Sequence, residues 1–141
     1  MGFVSSASAA PGHTSDKTAA SCSLATLHGT YLFNGDGTAL TDTGDHPMAY
    51  AGSFYFNGDG DLNGYISTSV NGSVDRDLSY TGTYAVAANC TGTFTIANII
   101  FDDLFAAPSG DEFTFIQTDE ATYPGSDQDV SAASAQRVAR N

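Results

Sequence analysis

The chain has no tryptophan, only two cysteines, and just four lysines and arginines together. It also lacks any long uninterrupted apolar run. Each scarcity excludes something. Four cations face sixteen Asp and Glu, for a net charge of -12. Such a chain repels phosphate backbones and cannot assemble a basic patch, so no nucleic-acid partner is expected. The same charge disfavours anionic membrane surfaces. No stretch reaches the ~18 apolar residues of a helical span, so no membrane insertion is expected either. The acidity reads first as solubility, with calcium binding or life at high salt as the functional alternative. Cys22 and Cys90 have no second Cys or His at ligand spacing, which argues against zinc; no metal site and no cofactor are expected. One disulfide between them, in an oxidising compartment, is the natural reading. It would stabilise by roughly 4 kcal/mol in the chain-entropy model. Two separate buried thiols are the alternative.

What is present is aromatic bulk and glycine. Nine Phe and seven Tyr carry large buried area per residue, and 141 residues suffice for one domain with a real core. Residues 1–21, rich in Ser and Ala, read as a disordered leader. The run Ser5-Ser6-Ala7-Ser8-Ala9-Ala10 is like the small-residue end of a secretory signal peptide. Residues 22–141 form the single domain, and a secreted or periplasmic location is expected.

Fifteen glycines, often beside Asn or Asp, separate short β-branched and aromatic runs, the pattern of many strands joined by tight turns. The expected strands are Thr30–Asn34, Met48–Phe56, Leu62–Val70, Val74–Val86 bent at Gly82, Thr91–Ile96, Ile99–Phe105 and Glu112–Thr118. Turns are expected at Asn34-Gly35-Asp36-Gly37, Asn57-Gly58-Asp59-Gly60, Asn71-Gly72, Asn89-Cys90 and Pro108 to Asp111. The tail from Ser126 fits a strand, with Val130, Ala132, Ser134, Gln136 and Val138 on one face. It also fits a helix capped by Ser126. We favour the strand, because an eighth strand pairs with the first and the seventh and removes both edges. Ser15–His28 is a helical candidate whose Leu24 and Leu27 cover one mouth. The result is an all-β, antiparallel up-and-down barrel of about eight strands, with a two-sheet sandwich as the alternative.

Several phrases occur together: Cys22 with Gly29-Thr30-Tyr31, Gly52 through Gly60, Gly82-Thr83-Tyr84, Asn89-Cys90-Thr91-Gly92-Thr93, Phe113 through Asp119, and Arg137-Val138. Their order resembles a group of largely uncharacterised, exported bacterial β-proteins. That group carries no agreed activity, so the resemblance transfers no catalytic residue. In size and strand number the chain is also similar to lipocalin-like and allene-oxide-cyclase-like barrels, which bind or cyclise hydrophobic small molecules. That similarity implies a hydrophobic small molecule as partner.

Three sets of residues bear on chemistry. Tyr31, Phe33, Tyr50, Phe54, Phe56, Tyr80, Tyr84, Phe94, Phe113 and Phe115 alternate along their strands and so share one face. They make either a packed core or an apolar pocket with phenol groups as hydrogen-bond handles. Asp102 and Asp103 lie inside an apolar run, so a regular strand sends one of them inward, where aromatic walls raise a carboxylate's pKa and suit it to acid–base work. A bulge would put both in water. Asp75, Arg76 and Asp77 pose the same question, and an inward Arg76 would be placed to pair with Asp103. The Asn57 to Asp61 loop superficially matches a calcium loop, but Leu62 stands where Gly is required and Thr68 at the bidentate position. It reads as a hairpin turn. His13, His28 and His46 show no catalytic or metal spacing.

These features predict a barrel that holds one hydrophobic ligand, with cofactor-free cyclase or isomerase chemistry as an extension. A secreted structural or adhesive module with a filled core is the alternative of a different class. The oligomeric state is not legible.

Overall fold

The computed structural model describes residues 21–118 and 128–141. Its eight strands are β1 (His28–Thr41), β2 (Gly44–Asn57), β3 (Asp61–Val70), β4 (Ser73–Val86), β5 (Thr91–Ile96), β6 (Ile100–Ala106), β7 (Glu112–Gln117) and β8 (Gln128–Ala139), preceded by one 3-10 turn at Leu24–Thr26. Every strand pairs antiparallel with its neighbour in sequence, and β8 returns to pair with β1. The chain is a closed up-and-down barrel, as the sequence indicates, not a two-sheet sandwich. The tail is a strand. Its Val130 and Val138 point outward, 63% and 57% exposed, while Ser131 and Ala135 are buried.

Alternation decides which side chains face in. On β1 the buried Tyr31 and Phe33 flank the exposed Leu32. On β2 the buried Phe54 and Phe56 flank Tyr55. This is the period-2 pattern of a half-buried strand. The inward rings from five strands, β1, β2, β4, β5 and β7, meet in one core with Leu27, Leu62 and Leu104.

Two local expectations are corrected. Asn34-Gly35-Asp36-Gly37 is not a turn; it continues β1 to Thr41. Gly35 and Gly37 are there because neighbours come too close for a side chain. A Cβ on Gly35 would lie 2.5 Å from the Ala133 Cβ and 2.9 Å from the Tyr50 ring, and one on Gly37 would lie 1.9 Å from the Val130 carbonyl. The irregularity in β4 is not at Gly82 but in the β3–β4 register between Ile66 and Thr68. Facing it, Asp77 adopts φ +53 and its N–H donates to Ser67 Oγ. That geometry is a β-bulge, which bends a strand and deepens its twist.

The two mouths differ. At the first, Leu27 is fully buried and packs on the core, with Leu24 beside it. The Tyr84 hydroxyl donates to the Leu24 and Leu27 carbonyls. Cys22 is bridged to Cys90 in the β4–β5 turn, with 5.0 Å between Cα atoms, which makes the disulfide reading correct. Leu24 and Leu27 thus cover this mouth, as expected, although on a single 3-10 turn; the Ser15–Ala20 part of the proposed helix lies outside the described residues. The second mouth is formed by the β1–β2, β3–β4 and β5–β6 turns.

Candidate functional site

The barrel is filled in one half and hollow in the other. In the filled half Tyr31, Phe56, Tyr84 and Phe113 pack edge to face, with centroids 4.9 to 5.5 Å apart. The Tyr31 hydroxyl donates to the Gly110 carbonyl. Arg137, whose side chain is only 6% exposed, closes this end. It donates to the carbonyls of His28 and Ser109 and to the Asp111 carboxylate at 2.6 Å. The guanidinium holds the Asp111 carboxyl below its ordinary range, with help from Ser109 and Arg140.

Beyond Phe54 the packing stops. A cavity of about 240 Å³ lies between Phe33, Phe54, Phe94 and Phe115 at its floor and Met48, Ile66, Leu78, Ile96 and Ile100 toward the second mouth. Leu78 and Ile100 line it and are nevertheless 47% and 37% exposed, so it communicates with solvent on that side. Of the ten aromatics expected to line a pocket, Phe33, Tyr50, Phe54, Tyr80, Phe94 and Phe115 do so. Tyr31, Phe56, Tyr84 and Phe113 face inward too, but they belong to the filled half.

The two adjacent aspartates separate as strand parity demands. Asp102 is 6% exposed and lines the cavity, opposite Phe94 on β5 and Gln117 on β7. Asp103 is on the outer face, opposite Thr93 and Ile116, and does not line the cavity. A role for Asp103 as an interior acid is therefore corrected by placement. So is its proposed partner, since Arg76 is exposed near the tip of the β3–β4 hairpin.

Four polar lining residues, Thr68, Ser79, Gln117 and Asp129, were missed by inspection of the sequence. Gln117 and Asp129 both contribute to the cavity wall. Asp129 faces in because it pairs with the buried Ala39. The signal was available only after β8 was placed in register with β1. Tyr50 crosses β1 over the bare Cα of Gly35, toward Ser131 on β8, whose side chain favours the ionised phenol. Its phenol is pushed above the ordinary tyrosine range, chiefly by burial, with Asp102 and Asp129 adding to the effect. The Tyr80 phenol is raised further, by burial alone, and donates to the Ser53 carbonyl at 2.6 Å.

The Asn57 loop is a hairpin turn. Asn57 Oδ1 accepts from the backbone N–H groups of Asp59 and Asp61 at 2.8 and 3.1 Å. Among the described residues no group of three or more His, Cys, Asp or Glu side chains is arranged to hold a metal. His13 lies outside the described residues. Compared with known proteins, the chain matches no family model, no curated protein and no solved structure.

Proposed function

We propose that the domain binds one small, mainly apolar molecule in the hollow half of the barrel. The observation that carries this is the cavity itself: an otherwise close-packed interior stops at Phe54 and leaves about 240 Å³ lined by rings and aliphatic chains, with a few polar groups on its wall. Folded cores leave few voids larger than a water molecule, so a space of this size is a feature in need of an occupant. It lies just below the ~300 Å³ at which ligand pockets commonly begin, which suits a molecule of about one ring. The likeness in size and strand number to lipocalin-like barrels supports the reading by analogy only. The bridged Cys22–Cys90 pair fits an oxidising compartment, and we place the protein outside the cytoplasm, secreted or periplasmic.

The test is a titration of methyl-labelled protein with 2-phenylethanol. The methyl signals of Met48, Ile66, Ile96 and Ile100 should move, and those of Leu27, Leu62 and Leu104 should stay. Ile66→Phe, which fills the space, should abolish the response while leaving the fold intact by circular dichroism. Unmoved cavity methyls at millimolar probe overturn the reading and favour a surface module without a ligand.

A second reading, cofactor-free isomerisation or cyclisation, is favoured by the placement of Asp102. It is a buried carboxylate on an aromatic-walled cavity, positioned to take a proton from one atom of a bound molecule and return it to another. Asp102→Asn, and not Asp103→Asn, should then remove turnover.

A further inference from the structure

The barrel wall has two heights. β1, β2 and β4 each run 14 residues, whereas β5 and β7 have 6 and β6 has 7. β4 pairs with β5 only from Gly82 to Val86, and just beyond that the Ala97 N–H donates to the Thr81 carbonyl. From Ser73 to Tyr80, β4 is paired on its β3 side alone among the described residues. A side gap therefore opens between this arm of β4 and the β5–β6 turn, level with the hollow half. Leu78, Ser79 and Tyr80 from the arm and Ile96 and Ile100 from beside the turn line the cavity there, and none of the five is charged. Leu78 and Ile100 belong to both the lining and the outer surface. Ile99, next along the turn, is 39% exposed and lies outside the cavity. Apolar surface thus continues from the cavity to the outside through the gap.

We propose that the bound molecule is larger than the cavity: a ring-sized head fills the hollow half, and an alkyl chain leaves through the side gap over Leu78, Ile100 and Ile99. This rests on the ligand-binding reading above and names its chemical class, an apolar molecule bearing an alkyl chain. Three arguments carry it. The cavity, at about 240 Å³, has room for the head and not for a long chain as well. Large aliphatic side chains exposed side by side mark a binding surface, and a chain lying on them removes their apolar area from water. A polypeptide suits the gap less well. The arm carries Asp75, Arg76 and Asp77 and is bent by the bulge at Asp77, features that discourage an added strand. A net charge of -12 discourages a second copy.

The experiment compares two probes with one head and different chains, para-ethylphenol and para-octylphenol, on methyl-labelled protein. Both should move the signals of Met48, Ile66 and Ile96. Only the octyl probe should move Ile99, and it should bind about tenfold or more tightly than the ethyl one. Ile99→Asn should weaken the octyl probe about threefold or more and leave the ethyl probe unchanged. The shifts of the parent protein keep the test valid if that variant fails to fold. An octyl probe that binds no tighter, leaves Ile99 unmoved or is indifferent to Ile99→Asn overturns the chain proposal while the ligand-binding reading stands. Movement of the Ile99 signal on diluting the free protein assigns the surface to a second copy and overturns it too. Cavity methyls unmoved by either probe overturn both readings.

Discussion

Phe54 lies where the filled and hollow halves meet. Its ring is stacked on Phe33 at 4.4 Å and tilted or edge-on to Phe56, Tyr80, Phe94, Phe113 and Phe115. Removing it should cost more than removing any ring at the rim. Phe54→Ala is expected to lower stability by about 3–5 kcal/mol, read as the shift of a urea unfolding curve. Asp111 makes a different kind of contribution. Its folded pKa is held below the ordinary 3.8, first by its hydrogen bond from Arg137. A depressed carboxyl stabilises the fold at pH above the unfolded value, and this contribution is lost as pH falls through the folded value. Asp111→Asn should therefore be less stable than the parent at neutral pH, and the difference should shrink in unfolding curves taken progressively below 3.8. The aspartate pair shows how far single residues were legible. Strand parity required one of Asp102 and Asp103 to face inward, but it could not say which, because that depends on the register of β6 against its neighbours.

Turns and strands tell a similar story at the next scale. Asn71 and Gly72 at the β3–β4 tip have φ +52 and +87, the left-handed pair that a two-residue hairpin demands, and that turn was readable from its Asn-Gly. The β5–β6 turn uses Ala97 and Asn98 at φ +53 and +62. Ala is a poor occupant of that region, so nothing in the composition of Ala97-Asn98 flagged the turn beyond Asn98. Ala97→Asn should raise stability by about 0.5–1 kcal/mol, measured by thermal unfolding. Reduction of the Cys22–Cys90 bridge, which spans 68 residues of sequence, should lower the melting temperature by roughly 10 °C or more, and Cys22→Ser/Cys90→Ser should reproduce that loss. An unchanged transition would mean that the bridge does not restrain the unfolded chain. β1 was read too short because Gly35 and Gly37 look like turn residues in one dimension. Their role, close approach by β8 and Tyr50, exists only in the barrel.

For the whole molecule, closure matters most. With β8 paired to β1, no described strand has a wholly unpaired edge to recruit another chain, and the interior becomes one space shared by a solid half and a hollow half. The aromatic alternation made the enclosure legible from the sequence. The hollow was not legible, since it depends on how far each ring reaches. A substitution that fills it adds packing without displacing polar groups, so Ile66→Phe should unfold at a temperature no lower than the parent, while losing the response to 2-phenylethanol. A variant that is both folded and clearly less stable would mean that the space is tighter than its volume indicates.

The pairing of Thr30 with Ala139 and the anchoring of Cys22 on the β4–β5 turn bring residue 22 and the last strand out at the same pole, the one Arg137 seals. Whatever tether is attached at either of those points, a sensor chip or a fused partner, the molecule is displayed with its vacant end pointing away from the support. Capture through residue 141 should thus leave uptake of a small probe unhindered, whereas a bulky label at Asn71, on the opposite pole, should impede it.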